Sequence, residues 1–310
     1  RSYRQYRNKI RNYYRNLEGF SEKLKHQRAF CPADSEVSYI SHPPKLALQT
    51  LQEMLRPFVE SGLLKTVLNA TLVRCTVSGN AISNVVYLID GEEITVFGQI
   101  YIDGTDYNVG AESKSQTGEE DAAEIACPQD MQPATYTACL ENRLIGDYTI
   151  PKPEMYDEFC KLKMPYDKYL VYSMYGPDSS TGMAKRFGMF LGEKDGNEEL
   201  FPLFKYRRIV CAENFTDGSQ PYDVTLVNWP QNDFFLGNMF LCDDALYNHW
   251  LAQQFTLGFV YWLQTEAPRA DGKKGYRHFR LATEYLGTEN GLSKSPYIRE
   301  SRRIKAQFTV

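Results

Sequence analysis

No Gly-x-Gly occurs anywhere in the 310 residues, so they contain no glycine-rich strand-to-helix turn of the kind that cradles a dinucleotide pyrophosphate. The seven cysteines are odd in number and include no Cys-x-x-Cys pair, which removes the zinc-ribbon and thioredoxin-type patterns and leaves mostly buried, reduced thiols as the expectation. Histidine is scarce. His26, His42, His249 and His278 give no His-x-x-x-His spacing, and no metal site is expected. A Gly-x-Ser-x-Gly elbow is also missing, which excludes a serine hydrolase built on that motif. Lys and Arg (35) do not exceed Asp and Glu (39), and a net charge of −4 is wrong for a general nucleic-acid binder, whose phosphate contacts need an excess of cations. No apolar run is long enough to span a bilayer; the best, residues 255–263, is short and interrupted by Gly258.

What is present suits a folded chain: 43% of residues are hydrophobic and 24% charged, enough for one large domain or two ordinary ones. The basic stretch 1–15 carries Tyr3, Tyr6, Ile10 and Tyr13, with Leu17 just beyond, near helical spacing, and predicts a solvated helix with one packed face. Residues 44–61 predict a second helix with Leu48, Leu51, Leu55, Phe58 and Val59 on its packed face, Gly62 as its stop and Pro57 as a kink or early end. Three strands are expected next, at 66–77, 82–89 and 94–102, joined by turns at Ser78-Gly79-Asn80 and Asp90-Gly91 that tolerate positive φ. Beyond Ala111 the character changes. Residues 113–132 are polar and acidic, strands are expected at 135–140, 201–211 and 223–228, and a long helix capped by Asp243 is expected to run to about Thr265. Its core face should carry Leu246, Trp250, Leu251, Phe255, Phe259, Val260 and Leu263, and a shorter helix is expected at 276–286.

The strand tract ends in Tyr101-Ile102-Asp103-Gly104-Thr105-Asp106, followed by Gly110-Ala111. Further along come Gln132-Pro133-Ala134-Thr135-Tyr136, Tyr206-Arg207-Arg208-Ile209, Asn228-Trp229 with Asn232-Asp233, and Tyr297-Ile298-Arg299-Glu300-Ser301-Arg302-Arg303. Taken in this order, the chain resembles the FAD-dependent oxidoreductases of the glutathione-reductase-like flavoprotein superfamily. The resemblance implies an α/β fold: a partial FAD/NAD(P)-binding, Rossmann-like domain with a three-stranded β-meander, plus an inserted α+β substrate domain. Residues 1–111 would belong to the FAD-binding domain, 112–296 would form the substrate or cap domain, and 297–310 would return toward the flavin domain. On this reading the chain looks like the middle of a longer protein, whose flavin domain is completed by further segments or by an additional chain. The implied cofactor is FAD, with backbone groups of Ala70, Thr71, Leu72 and Val73 near the adenine and Asp103, Gly104 and Thr105 beside the cofactor.

A flavin carries the electrons itself, so the protein needs groups that hold a small-molecule substrate rather than a nucleophile. Three clusters offer such groups. Arg207 and Arg208 sit on an expected strand, where only one can face a pocket. The Asn228–Asp233 turn concentrates amides, a carboxylate and an indole, and the Tyr297–Arg303 tract has spacings that would put Arg299, Arg302 and Arg303 on adjoining helix faces. Arg208, Asn228, Asn232, Tyr297 and Arg299 are the expected catalytic or substrate-orienting residues, equally open to structural ion-pairing and turn-fixing roles. The alternative function is a cofactor-free scaffold or interaction subunit that kept the fold.

Overall fold

The computed structural model describes residues 2–79, 81–101, 107–165, 167–178, 181–240, 242–299 and 302–304. Its architecture mixes α and β elements on several small sheets and divides into two compact units, residues 1–50 with 109–302, and residues 51–108 with 303–310. Residues 1–50 therefore cluster with the large unit, whereas the sequence grouped them with the following strands. Helix α1 (Ser2–Asn16) buries Ile10, Arg11 and Tyr14. Ile10 and Tyr14 pack with Phe20, Phe30, Ile40 and Leu46, and the Arg11 guanidinium donates to the carbonyls of Phe30 and Tyr39 at 3.2 Å each. Tyr3 and Tyr13, expected on the packed face, are exposed because the buried stripe is centred one position further round. Helix α2 (Pro44–Glu60) passes through Pro57 without ending there. Only Leu46 and Thr50 of α2 are buried, while Leu48, Leu51, Leu55, Phe58 and Val59 are each 48–57% exposed, so the expected packed face is open to solvent in this chain.

The small unit holds β1 (Thr71–Ser78), β2 (Ala81–Ile89) and β3 (Glu92–Val96), antiparallel and in sequential order. Asp90 (φ +51°) and Gly91 (φ +88°) both take the positive φ that a two-residue hairpin turn demands, which is why Asp-Gly stands there. β1 and β3 are exposed along their whole length, and Val85 and Val86 of β2 are the buried members of the three strands.

In the large unit, β4 (Ala138–Asn142), β5 (Tyr175–Pro177), β6 (Ala184–Gly188), β7 (Arg208–Val210) and β8 (Val224–Val227) precede α3 (Ala245–Thr265) and β9 (Phe279–Leu281). Four of these form one antiparallel sheet in the order β7-β8-β4-β9. The alternation of β4 and β8 is overwritten by burial on both faces, with Ala138, Cys139, Leu140, Val224, Thr225 and Val227 all enclosed. Residues 276–286 are not a helix: Phe279, Arg280 and Leu281 pair with Asn142, Glu141 and Leu140, and the demand of the β4 edge for backbone partners wins over helical spacing. Residues 201–211 are not one strand either, since Leu203–Tyr206 makes a helical turn before β7. Helix α3 is core-facing from Ala252 onward, whereas Leu246, in its first turn, is 86% exposed. Gln264, fully buried, ties α3 to the sheet by donating to the carbonyls of Phe279 (2.7 Å) and Tyr148 (2.8 Å). Among the described residues, no helix is long and apolar enough to cross a membrane, and no cluster of His, Cys, Asp and Glu could hold a metal ion.

Candidate substrate pocket in the large unit

The turn that follows β8 is built by its own side chains. Pro230 opens a single 3-10 turn, Pro230–Asn232, because its fixed φ suits the first position. Asn232 then folds back over it: its Oδ1 accepts from the Trp229 backbone N–H at 2.8 Å, and its Nδ2 donates to the carbonyls of Tyr136 (3.2 Å) and Val227 (3.4 Å) and to the Thr256 hydroxyl (3.3 Å). Asn232 is fully buried, and these bonds occupy both ends of its amide. Its place is that of a turn-fixing residue.

Asp233 follows directly and is the centre of a staple between three distant segments. Its Oδ1 accepts a very short hydrogen bond from the Thr135 hydroxyl, and both of its oxygens accept from Nη2 of Arg299 at 2.9 Å. Nη1 of Arg299 reaches the Pro133 carbonyl at 2.6 Å and the Thr135 hydroxyl at 3.4 Å. Backbone bridges reinforce the staple, Ala134 with Phe234 and Thr135 with Tyr297. Arg299 has φ +56°, so the tract does not begin the helix that its arginine spacing suggested. Arg302–Ile304 is a strand paired with Tyr107–Val109. The left-handed backbone at Arg299 is disfavoured for a side chain-bearing residue, and the four guanidinium contacts offset it. Burial pushes the Asp233 carboxyl above its ordinary range, only partly countered by Arg299, by the Thr135 hydroxyl and by the positive charge of Arg207. Tyr297 is 51% exposed, its ring 5.3 Å from the Arg299 guanidinium.

The two neighbouring arginines separate where the helical turn Leu203–Tyr206 ends at Arg207 and β7 begins at Arg208. Arg208 donates to the carbonyls of Ala33 (2.8 Å) and Asp34 (3.0 Å) and to the carboxylates of Asp34 (2.8 Å) and Asp223 (2.7 Å), none of them part of the Asp233 staple. It pins the 31–41 segment to the sheet. Arg207 is the one whose charge reaches Asp233, and its buried Nε has no hydrogen-bond partner.

Beside the staple lies a cavity of about 160 Å³. Four prolines (Pro133, Pro165, Pro177 and Pro230) line it with Met164, Val171, Phe235 and Phe255, and its polar members are Gln231 and Asp233. Gln231 is only 2% exposed, yet neither its Oε1 nor its Nε2 has a hydrogen-bond partner. Next to it, a side chain at Gly176 would meet Pro230 and Phe187 at 3.1 Å and the Gln231 amide nitrogen at 3.5 Å, so glycine allows β5 to close against this wall. The same turn holds two more unpartnered buried atoms, Oδ1 of Asn228 and Nε1 of the fully buried Trp229. Four unsatisfied polar atoms within residues 228–231 are unusual, because burying such groups without partners is costly.

Of the expected site residues, Arg299 and Tyr297 join the Asp233 staple, Asn228 and Asn232 stand in the turn that leads into Asp233, and Arg208 has its partners elsewhere. Gln231 and Thr135 were not among the expected site residues, although both stand inside the quoted clusters, and of the arginine pair Arg208 rather than Arg207 was expected at the site. What the sequence offered for Gln231 was its place after a proline in a turn rich in polar groups. Ala70, Thr71, Leu72 and Val73 lie at the start of β1, an edge strand, and are exposed. Asp103, Gly104 and Thr105 lie outside the described residues.

A family model described as FAD dependent oxidoreductase matches the chain over residues 1–310. No curated protein and no solved structure matches it.

Proposed function

The chain belongs to the FAD dependent oxidoreductase family, whose cofactor is FAD, and from that premise we propose that its large unit is the substrate-binding part of the enzyme and that β1–β3 belong to a Rossmann-like flavin domain. When bound, FAD supplies the two-electron acceptor, taking a hydride from a small organic substrate. The residues present suit part of that cofactor. The outer edge of β1 carries backbone N–H and C=O groups not used by β2, which is what reading of the adenine by Ala70, Thr71, Leu72 and Val73 requires. Asp103, Gly104 and Thr105 are proposed as further contacts. No residue here is assigned to the pyrophosphate, since no Gly-x-Gly turn is present.

The observation that carries the substrate half of the reading is the mostly apolar cavity with Gln231 and Asp233 in its wall. Prolines and phenyl rings exclude water, and the Gln231 amide orients the ligand. A substrate that loses a hydride from carbon also sheds a proton from its heteroatom, and Asp233 is the acidic side chain in the wall that can accept it. Burial raises its proton affinity, which strengthens it as a proton acceptor. Arg299 and Thr135 hold the carboxylate in place, so Arg299 is a positioning residue. Asn228 and Tyr297 are proposed to border the substrate, while Asn232 and Arg208 act through the frame.

The test is anaerobic stopped-flow reduction of the flavin in the full-length enzyme by its substrate. Asp233→Asn, which keeps size and most hydrogen bonding, is expected to slow reduction on the order of 10²–10⁴-fold. A parental rate in that variant would exclude Asp233 as the proton acceptor, and a full-length protein without bound flavin would overturn the enzymatic reading.

A further inference from the structure

We propose that the cavity beside Gln231 takes a single six-membered ring carrying one hydroxyl group, bound as a neutral molecule. This rests on the reading of the cavity as the substrate pocket and adds the substrate class to it. Size comes first. A cavity of about 160 Å³ is close to the ~150 Å³ at which an apolar protein cavity accepts benzene, so it holds one ring. The walls come second: prolines, Phe235 and Phe255 offer flat apolar surfaces, and the two phenyl rings stand 6.1 Å apart and nearly perpendicular, so a ring entering beside them meets edges and faces.

The polar part of the ligand is set by Gln231. A carboxamide with both Oε1 and Nε2 buried and unpartnered can accept from one ligand atom and donate to another, or do both with a single hydroxyl. A bare hydrocarbon would leave both amide atoms unsatisfied, and a hydroxylated ring satisfies them. Charge is set by Asp233. Its carboxylate already has Arg299 on both oxygens, so the wall calls for no cation, and among the described residues no Lys or Arg lines the cavity to hold a carboxylate on the ligand. The hydroxyl is also the group whose proton the proposed chemistry removes.

Binding is measured by calorimetry or ligand-observed NMR on the full-length holoenzyme, with phenol, cyclohexanol, benzene and benzoate as probes. Phenol or cyclohexanol should bind more tightly than benzene by on the order of tenfold to a hundredfold, and benzoate should not compete. Gln231→Met, which fills the same space without the amide, should erase the advantage of the hydroxyl while keeping benzene binding. The wild-type series decides the matter if that variant does not fold. Equal binding of phenol and benzene, or tighter binding of benzoate, overturns the proposal. A hydroxylated ring that binds through Gln231 without bleaching the flavin supports the pocket assignment and counts against oxidation there. Bleaching by a substrate that ignores Gln231→Met supports the enzymatic reading and refutes the ligand class.

Discussion

Replacing Arg299 with alanine strands the Asp233 carboxylate, and the cost follows from the geometry around it. Both side chains are about one-fifth exposed, 22% for Arg299 and 20% for Asp233, so the pair is largely withdrawn from solvent. Deleting one partner of a buried pair costs about 3–5 kcal/mol, and the residual exposure lowers this to about 2–4 kcal/mol here. For a unit of this size that corresponds to a fall in melting temperature of roughly 4–16 °C. Alanine inherits the left-handed backbone at position 299, so it gains nothing there; Arg299→Gly should be less destabilised by about 1 kcal/mol because glycine takes φ +56° freely. The effect also has a pH signature. Burial raises the Asp233 carboxyl, so the folded protein holds a proton where the unfolded chain, with its pKa of about 3.9, has released it. Stability from that proton is present below the unfolded value and is lost as pH rises through the folded one. Without Arg299 the folded value rises further, so the deficit of Arg299→Ala should be largest near neutral pH and shrink on acidification. Thermal melts monitored by circular dichroism at about pH 5 and about pH 7.5, with Asp233→Asn/Arg299→Ala as the control lacking the stranded charge, provide the measurement. A melting temperature within about 2 °C of the parent, or a deficit that is the same at both pH values, would refute the staple as a stabilising element.

Asn232→Ala should cost about 2–4 kcal/mol, since it takes the partner of the Trp229 N–H and three further hydrogen bonds out of a buried turn; urea unfolding reads the loss, and a change under about 0.5 kcal/mol would contradict it. Arg208→Ala removes three contacts that hold residues 33–34 to β7 and a fourth to Asp223, and should cost about 2–4 kcal/mol, with proteolytic nicking of the 31–41 segment rising before the rest of the chain is cut. Parental resistance of that segment would mean that the contacts with α1 hold it alone.

Local chemistry made some elements legible. Asp90-Gly91 fixed a hairpin because two positive φ values are needed in succession, and the apolar spacing of 252–263 marked α3 as a core helix. Residues 279–281 misled because a three-residue strand has no period of its own; it exists only as the partner of β4. Alternation was the expected reason for Arg207 and Arg208 to diverge, but Arg207 ends a helical turn and only Arg208 is on β7, and their partners depend on where Asp34, Asp223 and Asp233 arrive from. Asn232 and Arg299 were picked out as polar groups near one another, yet their bonds serve the frame. Gln231 stayed hidden because an unpartnered amide is a property of its surroundings.

The Asp233 staple also dates the site within the life of the folding chain. Thr135, Asp233 and Arg299 are separated by 98 residues in one span and 66 in the next. Closing loops of that length is slow compared with forming a helix or a hairpin, and nothing holds the Asp233 carboxylate on its far side until residue 299 arrives. Ligand binding at Gln231 would then report the return of the last segment, and a ribosome-bound chain that has exposed only its first 290 residues should have the sheet and α3 without a working pocket.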